Sequence, residues 1–291
     1  MKTQRLFVAS LALIILSPLT PQLSTCFAAT TIDAGNRYAY GANAGWMDCR
    51  GDTANGAVIG EYVCAGYIYA ANVGWIDLGS GSPVNGIQYQ NNAASDFGVN
   101  HDGLGNLRGY AYGANIGWVN FETNGAPKVD LATGKLSGSV YSANCGWISL
   151  SNAMAHVQTG NIAAGADTDG DGIADAWERT YTNSLTAFTA SSDTDHDGMS
   201  DKQEHLADTN PLDPNDKLWI TSFTRTGTYN TLAWTSQPTR FYRVERQATL
   251  DVASPWETII SFDWLGWNNV GFDNSGSEYY YRIKAVRPLA P

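Results

Sequence analysis

The sequence predicts a mainly β protein, built from an amino-terminal array of β-hairpin repeats, a short acidic loop segment with small helices, and a carboxyl-terminal β-sandwich. Glycine is frequent, with 30 residues, while aromatic residues make up 12% of the chain and charged residues only 15%. Such a composition favours short strands joined by tight turns. One motif recurs four times before residue 150, and strand-like alternation returns after residue 217. We expect four parts, a signal peptide at 1–28, the hairpin repeats at 30–157, the loop segment at 165–216 and the sandwich at 217–291.

The first residues have the features of a secretory signal peptide. Lys2 and Arg5 precede an apolar run over 6–16, which is too short to span a membrane comfortably. Small residues near position 28 predict cleavage there. Residues 23–26 (LSTC) resemble a lipoprotein signal, but threonine is a poor residue before a lipidated cysteine. We therefore expect a secreted or cell-surface protein with no lipid anchor at Cys26 and no transmembrane segment after cleavage.

The recurring motif places an asparagine, a glycine and a tryptophan three, five and six residues after a tyrosine. Its tryptophans are spaced by 29, 43 and 29 residues, which fits a duplicated pair of units. A strand-like stretch leads into each tyrosine, and Asn and Gly supply a turn because both tolerate positive φ. Each unit is therefore predicted to be a β-hairpin that is stable only against its neighbours. The four tryptophans are Trp46, Trp75, Trp118 and Trp147.

The repeated aromatic residues have two interpretations. They could form a stacking platform for sugars, or they could be core residues, since one tryptophan at the same place in every unit is what repeated packing needs. The sequence favours the core. Over roughly residues 30 to 150, the units resemble the Gly-Trp-Ile hairpin repeats of exported bacterial proteins. That resemblance implies an exported location more than it implies an activity.

Three cysteines lie outside the signal peptide. An exported protein can form disulfides, and Cys49 with Cys64 is the favoured pair because the two flank one connection between hairpins. Cys145 takes a repeat position that holds alanine, valine or isoleucine in the other units. We expect a small buried side chain there rather than a reactive thiol.

Two twelve-residue segments share the pattern D-x-D-x-D-G-x-x-D-x-x-E and hold ten of the 28 acids. Ca²⁺ takes about six to eight oxygen ligands, which acids at positions 1, 3 and 5, a carbonyl at 7 and a carboxylate at 12 can supply, while glycine at 6 permits the turn. Position 9 can act directly or through water. The pattern therefore predicts two Ca²⁺ sites. The ligands are Asp167, Asp169, Asp171, the Ile173 carbonyl, Asp175 and Glu178 in the first, and Asp193, Asp195, Asp197, the Met199 carbonyl, Asp201 and Glu204 in the second.

The two loops resemble thrombospondin type 3 repeats over about residues 165 to 216, and dockerins less closely. Dockerins normally end the loop with aspartate, whereas both loops here end with glutamate, which weakens the expectation of a cohesin-like partner. Short helices are predicted at 174–181 and 201–207. The Asn-Pro-x-Asp sequence at 210–213 resembles the tail that often follows such repeats, and its prolines predict a stiff linker. Because the segment has few large apolar residues, calcium should supply much of its folding free energy.

The last 70 or so residues predict a small β-sandwich with a turn about every ten residues. The module resembles fibronectin type III domains through Trp234, Tyr242-x-Val244 and an alternating strand that begins at Tyr279, the expected corner tyrosine. It is short for that family, so one strand should be missing or abbreviated. The resemblance implies binding or spacing. Trp264 and Trp267 lie in a loop-like stretch and are candidates for exposed aromatic contacts.

The sequence contains no recognisable catalytic motif, and its four histidines share no ligand spacing. We therefore expect no enzymatic activity. The net charge of −11 argues against nucleic-acid binding. The predicted function is that of an exported calcium-binding structural or adhesive protein, in which calcium rigidifies the joint between two β-modules and the partner is a surface or matrix protein or a glycan. The alternatives are a carbohydrate-binding protein that uses aromatic platforms, and a dockerin-like docking module.

Overall fold

A computed structural model describes residues 30–249, 254–262, 264–273 and 279–290. The signal peptide predicted at 1–28, with Cys26, lies outside these residues. The mainly β class is confirmed, since the described part contains many strands and two short α-helices. The strands of the amino-terminal module are β1 (Ile32–Gly41), β2 (Gly45–Asp48), β3 (Ala65–Ala70), β4 (Gly74–Ser80), β5 (Val99–His101), β6 (Leu107–Gly113), β7 (Gly117–Asn120), β8 (Lys128–Val129), β9 (Leu136–Ser137), β10 (Ser139–Ser142), β11 (Gly146–Ser149) and β12 (Val157–Thr159), with a 3-10 helix at Thr123–Gly125.

Four β-hairpins close into a barrel in this module. β1 pairs with β2, β3 with β4, β6 with β7 and β10 with β11, each around one copy of the repeated motif. Neighbouring hairpins pair through β2 and β3, β4 and β6, and β7 and β10, and β11 returns to β1. Because the sheet closes, each of these eight strands pairs with a strand on both sides over at least part of its length. Each hairpin is therefore stabilised by two neighbours.

The asparagines of the four turns link each hairpin to the next one around the barrel. Each Nδ2 donates to a backbone carbonyl in the turn of the adjacent hairpin, at distances of 3.1 to 3.3 Å. The expectation that these asparagines take positive φ is wrong, because only the glycine before each tryptophan does so, at 68° to 81°. The asparagine is needed as a side-chain donor instead. The bonds join Asn43 to Cys145, Asn72 to Ala44, Asn115 to Val73 and Asn144 to Ile116.

The four repeated tryptophans lie on the outer surface of the barrel, and the favoured core interpretation is wrong. Their side chains are 44% to 51% exposed. Successive residues of a strand point to opposite faces, so a tryptophan and its apolar successor cannot both face inward. A small barrel has room inside only for modest side chains. The buried residues are the successors of the tryptophans, Met47, Ile76, Val119 and Ile148.

The predicted disulfide is not formed, since Cys49, Cys64 and Cys145 are all free and buried in the described chain. Cys49 and Cys64 border one cavity of about 20 Å³ in the barrel interior, among aliphatic residues. Burial raises the pKa of each of these two thiols to about 12. They therefore act as small apolar core side chains. Cys145 is buried like its counterparts in the other turns, which confirms the expectation for that position.

The acidic segment carries two seven-residue helices, α1 (Asp175–Tyr181) and α2 (Asp201–Ala207), close to the predicted positions. A capping box begins α2, because Ser200 Oγ accepts from the Gln203 N–H and the Gln203 side chain accepts from the Ser200 N–H. The helix ends at Asp208 in a left-handed conformation. Neither of these helices is long and apolar enough to cross a membrane.

The carboxyl-terminal module is built from two three-stranded sheets, ordered β13-β14-β17 and β16-β15-β18. Its core is Leu232, Trp234, Tyr242, Val244 and Phe262. The expected strands are present, while the resemblance to fibronectin type III domains stays a prediction. The strands are β13 (Ile220–Thr226), β14 (Tyr229–Trp234), β15 (Phe241–Gln247), β16 (Glu257–Ser261), β17 (Asn269–Asp273) and β18 (Tyr280–Val286).

Candidate calcium centre

The first acidic loop gathers three carboxylates around one point. One oxygen from each of Asp167, Asp169 and Asp171 lies within 4.8 Å of the others. The loop is folded by its own backbone, because Asp167 accepts from the N–H groups of Gly170 and Gly172 at 2.8 and 2.9 Å. Gly172, at loop position 6, has φ of +90°, which makes glycine the favoured residue there. The loop therefore brings its first three predicted ligands together.

The second loop repeats this geometry. Asp193, Asp195 and Asp197 also place one oxygen each within 4.8 Å of the others. Asp193 accepts from the N–H groups of Asp197 and Gly198 at 3.1 and 3.0 Å, and Gly198 has φ of +97°. His196 takes positive φ at the place of Gly170 in the first loop. The two loops thus have the same backbone conformation although the residues between their ligands differ.

The glutamates at position 12 lie in the first turns of α1 and α2 and are fully buried. Burial, followed by the charges of Asp169 and Asp171, raises the pKa of Glu178 to about 7. Burial, followed by Asp195 and Asp197, raises the pKa of Glu204 to about 8. Each glutamate therefore faces the aspartate cluster of its own loop, and its ionised form is destabilised without a compensating positive charge.

The aspartates at position 9 are held by hydrogen bonds within their loops. Asp175 accepts from the N–H and hydroxyl of Thr168 at 2.7 and 2.6 Å. Asp201 accepts from the same two groups of Thr194, both at 2.9 Å, and from the Ser192 hydroxyl at 2.5 Å. Both carboxylates tie the start of a loop to the start of its helix, and the structure does not place them in the three-carboxylate clusters.

The residues predicted to supply carbonyl ligands have side chains with separate roles. Ile173 is fully buried in a small core, and the Met199 sulfur accepts from the Leu218 N–H at 3.2 Å. Both backbone N–H groups are bound by the aspartate at position 5, at 2.8 and 2.7 Å. These bonds fix the backbone at position 7, and the carbonyl contribution stays a prediction.

The chemistry of the clusters fits a hard cation. Buried polar atoms are normally hydrogen-bonded, and an unpaired buried carboxylate oxygen is costly. Within the described chain, the two loops leave six such oxygens without a hydrogen-bond partner. Ca²⁺ accepts a shell of carboxylate oxygens of this kind and neutralises their charge. The oxygens are Asp171 Oδ2, Glu178 Oε1 and Oε2, Asp195 Oδ2, Asp197 Oδ2 and Glu204 Oε2.

A lysine from the following unit closes over each loop. Lys202 of α2 donates to the carbonyl of Asp171 at 2.8 Å, and Lys217 donates to the carbonyl of Asp197 at 3.0 Å. Asp171 and Asp197 both stand at loop position 5, so the two contacts are equivalent. The first loop is thereby attached to α2, and the second loop is attached to the residues just before the sandwich.

The segment has a small apolar core of its own. Ile173, Trp177 and Phe188 are buried together, with Tyr62 of the barrel module and Tyr181 packed against them. The Trp177 ring also makes an edge contact with the buried His205, at 5.4 Å between ring centroids. This core joins both helices to the barrel module.

A buried arginine joins all three parts of the chain. Arg240 lies 3.3 Å from Glu61 of the barrel module and 3.8 Å from Asp208 after α2. It also donates to the carbonyls of His205 and Leu206 at 3.1 and 2.9 Å, at the carboxyl-terminal end of α2. This junction was not predicted from the sequence. Arg240 is a charged residue directly before the strand of Tyr242, which could have suggested a buried ion pair, but its partners are up to 179 residues away.

The remaining candidate residues lie on the surface of the sandwich. Trp264 is 66% exposed, and Trp267 stacks on Phe262 with 5.6 Å between ring centroids. Trp267 is 39% exposed and also contacts Trp264, so exposure and packing are both present at these two residues.

Residues 167–184 and 193–214 match the family model of the bacterial TSP3 repeat. The second matched segment extends into the Asn-Pro-x-Asp tail. No curated protein and no solved structure matches the chain. The family match covers a small part of the chain, and it coincides with the two aspartate clusters. Together the match and the clusters indicate that this segment, which is similar to bacterial TSP3 repeats, is of a calcium-binding type.

Proposed function

We propose that the protein is an exported structural or adhesive protein, in which two calcium ions rigidify the joint between the barrel and the sandwich. The observation that carries this proposal is the set of six buried carboxylate oxygens without a hydrogen-bond partner, in the segment that connects the two modules. Asp167, Asp169, Asp171 and Glu178 would hold one ion, and Asp193, Asp195, Asp197 and Glu204 the other. Each ion would supply positive charge and no reaction chemistry.

Electrostatics makes the ions part of the fold. Each loop places one oxygen from each of three aspartates within 4.8 Å of the others, next to a buried glutamate, so these like charges repel one another. The small apolar cluster of this segment, with three buried residues, cannot offset much of that cost. Binding of a cation only to the folded form would therefore contribute directly to the folding free energy.

The path from the loops to the joint is short. Lys217 contacts the second loop and lies three residues before β13, while Gln237 of the sandwich donates to Asp216 at 2.7 Å. Thr239 donates to Asp208, next to the contacts of Arg240. An ordered second loop would hold these groups in place and so fix the sandwich against α2.

The two other modules suit a spacing or contact role. Two three-stranded sheets with a buried Trp234 and Tyr242 support the resemblance to a fibronectin type III domain that lacks one strand. Extracellular calcium modules commonly bind with Kd of about 10⁻⁴ to 10⁻³ M, which favours occupancy outside the cell. These features support export and adhesion, and we propose no enzymatic activity.

Calorimetric titration of the EDTA-stripped protein tests the proposal. We expect uptake of two calcium ions, together with a decrease in the radius of gyration measured by small-angle scattering. A double variant, Asp167→Asn with Asp193→Asn, should lose both effects. Asp273→Asn, which alters an exposed carboxylate of β17, should keep them. If calcium at millimolar concentration produces no heat and no change in scattering, the proposal is wrong.

A further inference from the structure

The exposed face of the barrel is a fourfold repeat with one exception. In every hairpin the tryptophan lies beside the cross-strand tyrosine, with ring centroids 4.8 to 5.1 Å apart. In three hairpins a second tyrosine makes an edge contact with the tryptophan, at 6.2 to 6.3 Å. The second tyrosines are Tyr38, Tyr67 and Tyr110, and the equivalent residue of the fourth hairpin is Ser139.

Ser139 places no ring against Trp147, and Trp147 is the most exposed of the four tryptophans at 51%. A cavity of about 180 Å³ lies beside it, open to solvent. Trp118, by contrast, carries an additional ring, that of Phe97, at 5.2 Å. Three of the tryptophans therefore have a second aromatic neighbour, and the fourth borders a recess.

The recess combines an aromatic wall with a polar rim. Trp147 and Tyr141 form the wall, and Asn120, Glu122 and Asn124 supply amide and carboxylate groups. The rim is held in place from behind. Asn120 Oδ1 accepts from the Glu122 N–H at 2.6 Å, and Glu122 Oε1 accepts from the Gly109 N–H at 3.1 Å. Such preorganisation lowers the entropy cost of binding a ligand.

The backbone of the 3-10 helix brings this rim close to the tryptophan. A Cβ added to Gly125 would lie 1.8 Å from the carbonyl oxygen of Ser139 and 3.0 Å from a ring carbon of Trp147. Any larger residue at 125 would therefore clash with the backbone of β10 and move the loop away from the ring. Glycine at this position allows the loop that carries Glu122 and Asn124 to approach the ring.

We propose that this recess binds one ring of a neutral glycan. Aromatic faces pack against the apolar C–H face of a sugar, while amide and carboxylate groups pair with its hydroxyls. The volume is below the roughly 300 Å³ at which pockets for drug-sized ligands begin, which suits a single ring of a longer chain that continues into solvent. The carboxylate of Glu122 and the net charge of −11 disfavour glycans that carry sulfate or uronic acid groups.

This inference rests on barrel residues alone, so it stands or fails independently of the calcium proposal. It also differs from a general aromatic platform, because it assigns binding to one hairpin of four. The residues expected to stack are Trp147 and Tyr141, and not the loop residues Trp264 and Trp267.

An oligosaccharide array tests the proposal with the whole exported chain in calcium. The array carries oligosaccharides of glucose, galactose, mannose and N-acetylglucosamine, with sulfated and uronic acid-containing chains as the acidic arm. We expect binding to at least one neutral oligosaccharide and none to the acidic arm. Trp147→Ala should weaken that binding at least about tenfold, because truncating a central aromatic contact removes most of its binding energy.

Two matched variants make the test specific. Trp75→Ala removes the equivalent side chain of a hairpin whose tryptophan contacts two tyrosines, and it should leave binding unchanged. Ser139→Tyr gives the fourth hairpin the second tyrosine that the other three carry, so it should place a ring beside Trp147 and reduce access to the recess. Near-ultraviolet circular dichroism monitors folding of each variant. The proposal is overturned by absence of binding to every neutral oligosaccharide, by equal losses for Trp75→Ala and Trp147→Ala, by full binding in Ser139→Tyr, or by a loss that follows Trp264→Ala instead.

Discussion

The barrel and the calcium segment reach a defined structure by different means. The barrel buries 28 apolar residues in one cluster and closes its sheet, whereas the apolar cluster of the calcium segment contains three buried residues. The segment buries acids instead, since Glu178, Asp201 and Glu204 are fully enclosed. Burial of apolar surface stabilises the barrel with or without calcium in solution. Under the proposed function, the stability of the calcium segment would depend on the concentration of calcium.

Under the proposed function, the order of the barrel is intrinsic and the order of the calcium segment depends on calcium. That segment lies at the joint, where Arg240 contacts both neighbours. We therefore expect the modules to stay folded when calcium is removed and to lose mainly their relative orientation.

Calcium removal should have the largest effect. In EDTA we expect backbone amides of residues 167–216 to lose most of their protection from hydrogen exchange, because the clustered carboxylates repel one another. Amides of β3, β4, β6 and β7 should keep theirs, since their hydrogen bonds and apolar core involve no acid cluster. Hydrogen exchange followed by mass spectrometry measures both regions in one sample. Equal protection of the segment with and without calcium would contradict the comparison.

The complementary change weakens the barrel instead. Ile148→Ala removes a fully buried side chain and should lower the free energy of unfolding of the barrel by about 2–5 kcal/mol. The loss should be the same in calcium and in EDTA. Chemical denaturation followed by fluorescence of the barrel tryptophans checks it.

Removal of the junction arginine should have the next largest effect. Arg240→Ala leaves Glu61 with Arg287 as its remaining ion-pair partner, at 3.0 Å, and frees the carbonyls at the end of α2. Breaking a buried ion pair typically costs about 3–5 kcal/mol, and Arg287 should keep the loss near the lower value. We expect lower stability of the sandwich and faster proteolysis near residues 208–217, with calcium affinity reduced less than in a loop variant. Arg225→Ala, which alters an exposed arginine of β13, is the control. Unchanged proteolysis in Arg240→Ala would exclude the arginine as the link.

Glu204→Gln should stabilise the segment without calcium and destabilise it with calcium. Without calcium, folding near neutral pH must protonate Glu204, because burial raises its pKa from 4.5 to about 8; glutamine avoids that cost, so the segment should become more stable. With calcium it removes a ligand, and affinity for the second ion should fall at least about tenfold, equivalent to about 1.4 kcal/mol. Thermal melts in EDTA and in calcium measure the change in melting temperature, which should be an increase in EDTA and a decrease in calcium. A loss of stability in both conditions would mean that Glu204 serves packing alone.

The dependence on pH should also have opposite signs in the two conditions. The folded-state pKa values of about 7 for Glu178 and about 8 for Glu204 exceed the ordinary value of 4.5. The calcium-free segment should therefore be most stable below pH 4.5 and should lose this contribution as pH rises through 7 to 8. Calcium must displace these protons, so its affinity should increase over the same range. Titrations at pH 6 and pH 8 measure the change.

The local features of the sequence predicted the loops well, because ligand offsets within twelve residues specify a loop without reference to the remaining chain. The same holds for the hairpins, whose paired residues are at most 15 positions apart. The side of the sheet on which Trp46 lies could not be predicted, because Met47 next to it is also apolar and either side chain suits a core. Closure of β1 on β11 and the contact of Arg240 with Glu61 depend on residues that are more than 100 positions apart. Such contacts leave no local pattern.

The smallest effect should come from the asparagine ring of the barrel. Asn115 Nδ2 donates to the Val73 carbonyl at 3.1 Å, so Asn115→Ala should lower the free energy of unfolding by about 0.5–1.5 kcal/mol, the usual net value of one hydrogen bond. The loss should not depend on calcium, since the bond belongs to the part whose order is intrinsic. Asn124→Ala, which alters an exposed asparagine on the same module, should change the free energy of unfolding by less than about 0.5 kcal/mol. Urea denaturation of both variants checks the difference. Equal stability of the two variants would mean that strand pairing alone holds the hairpins together.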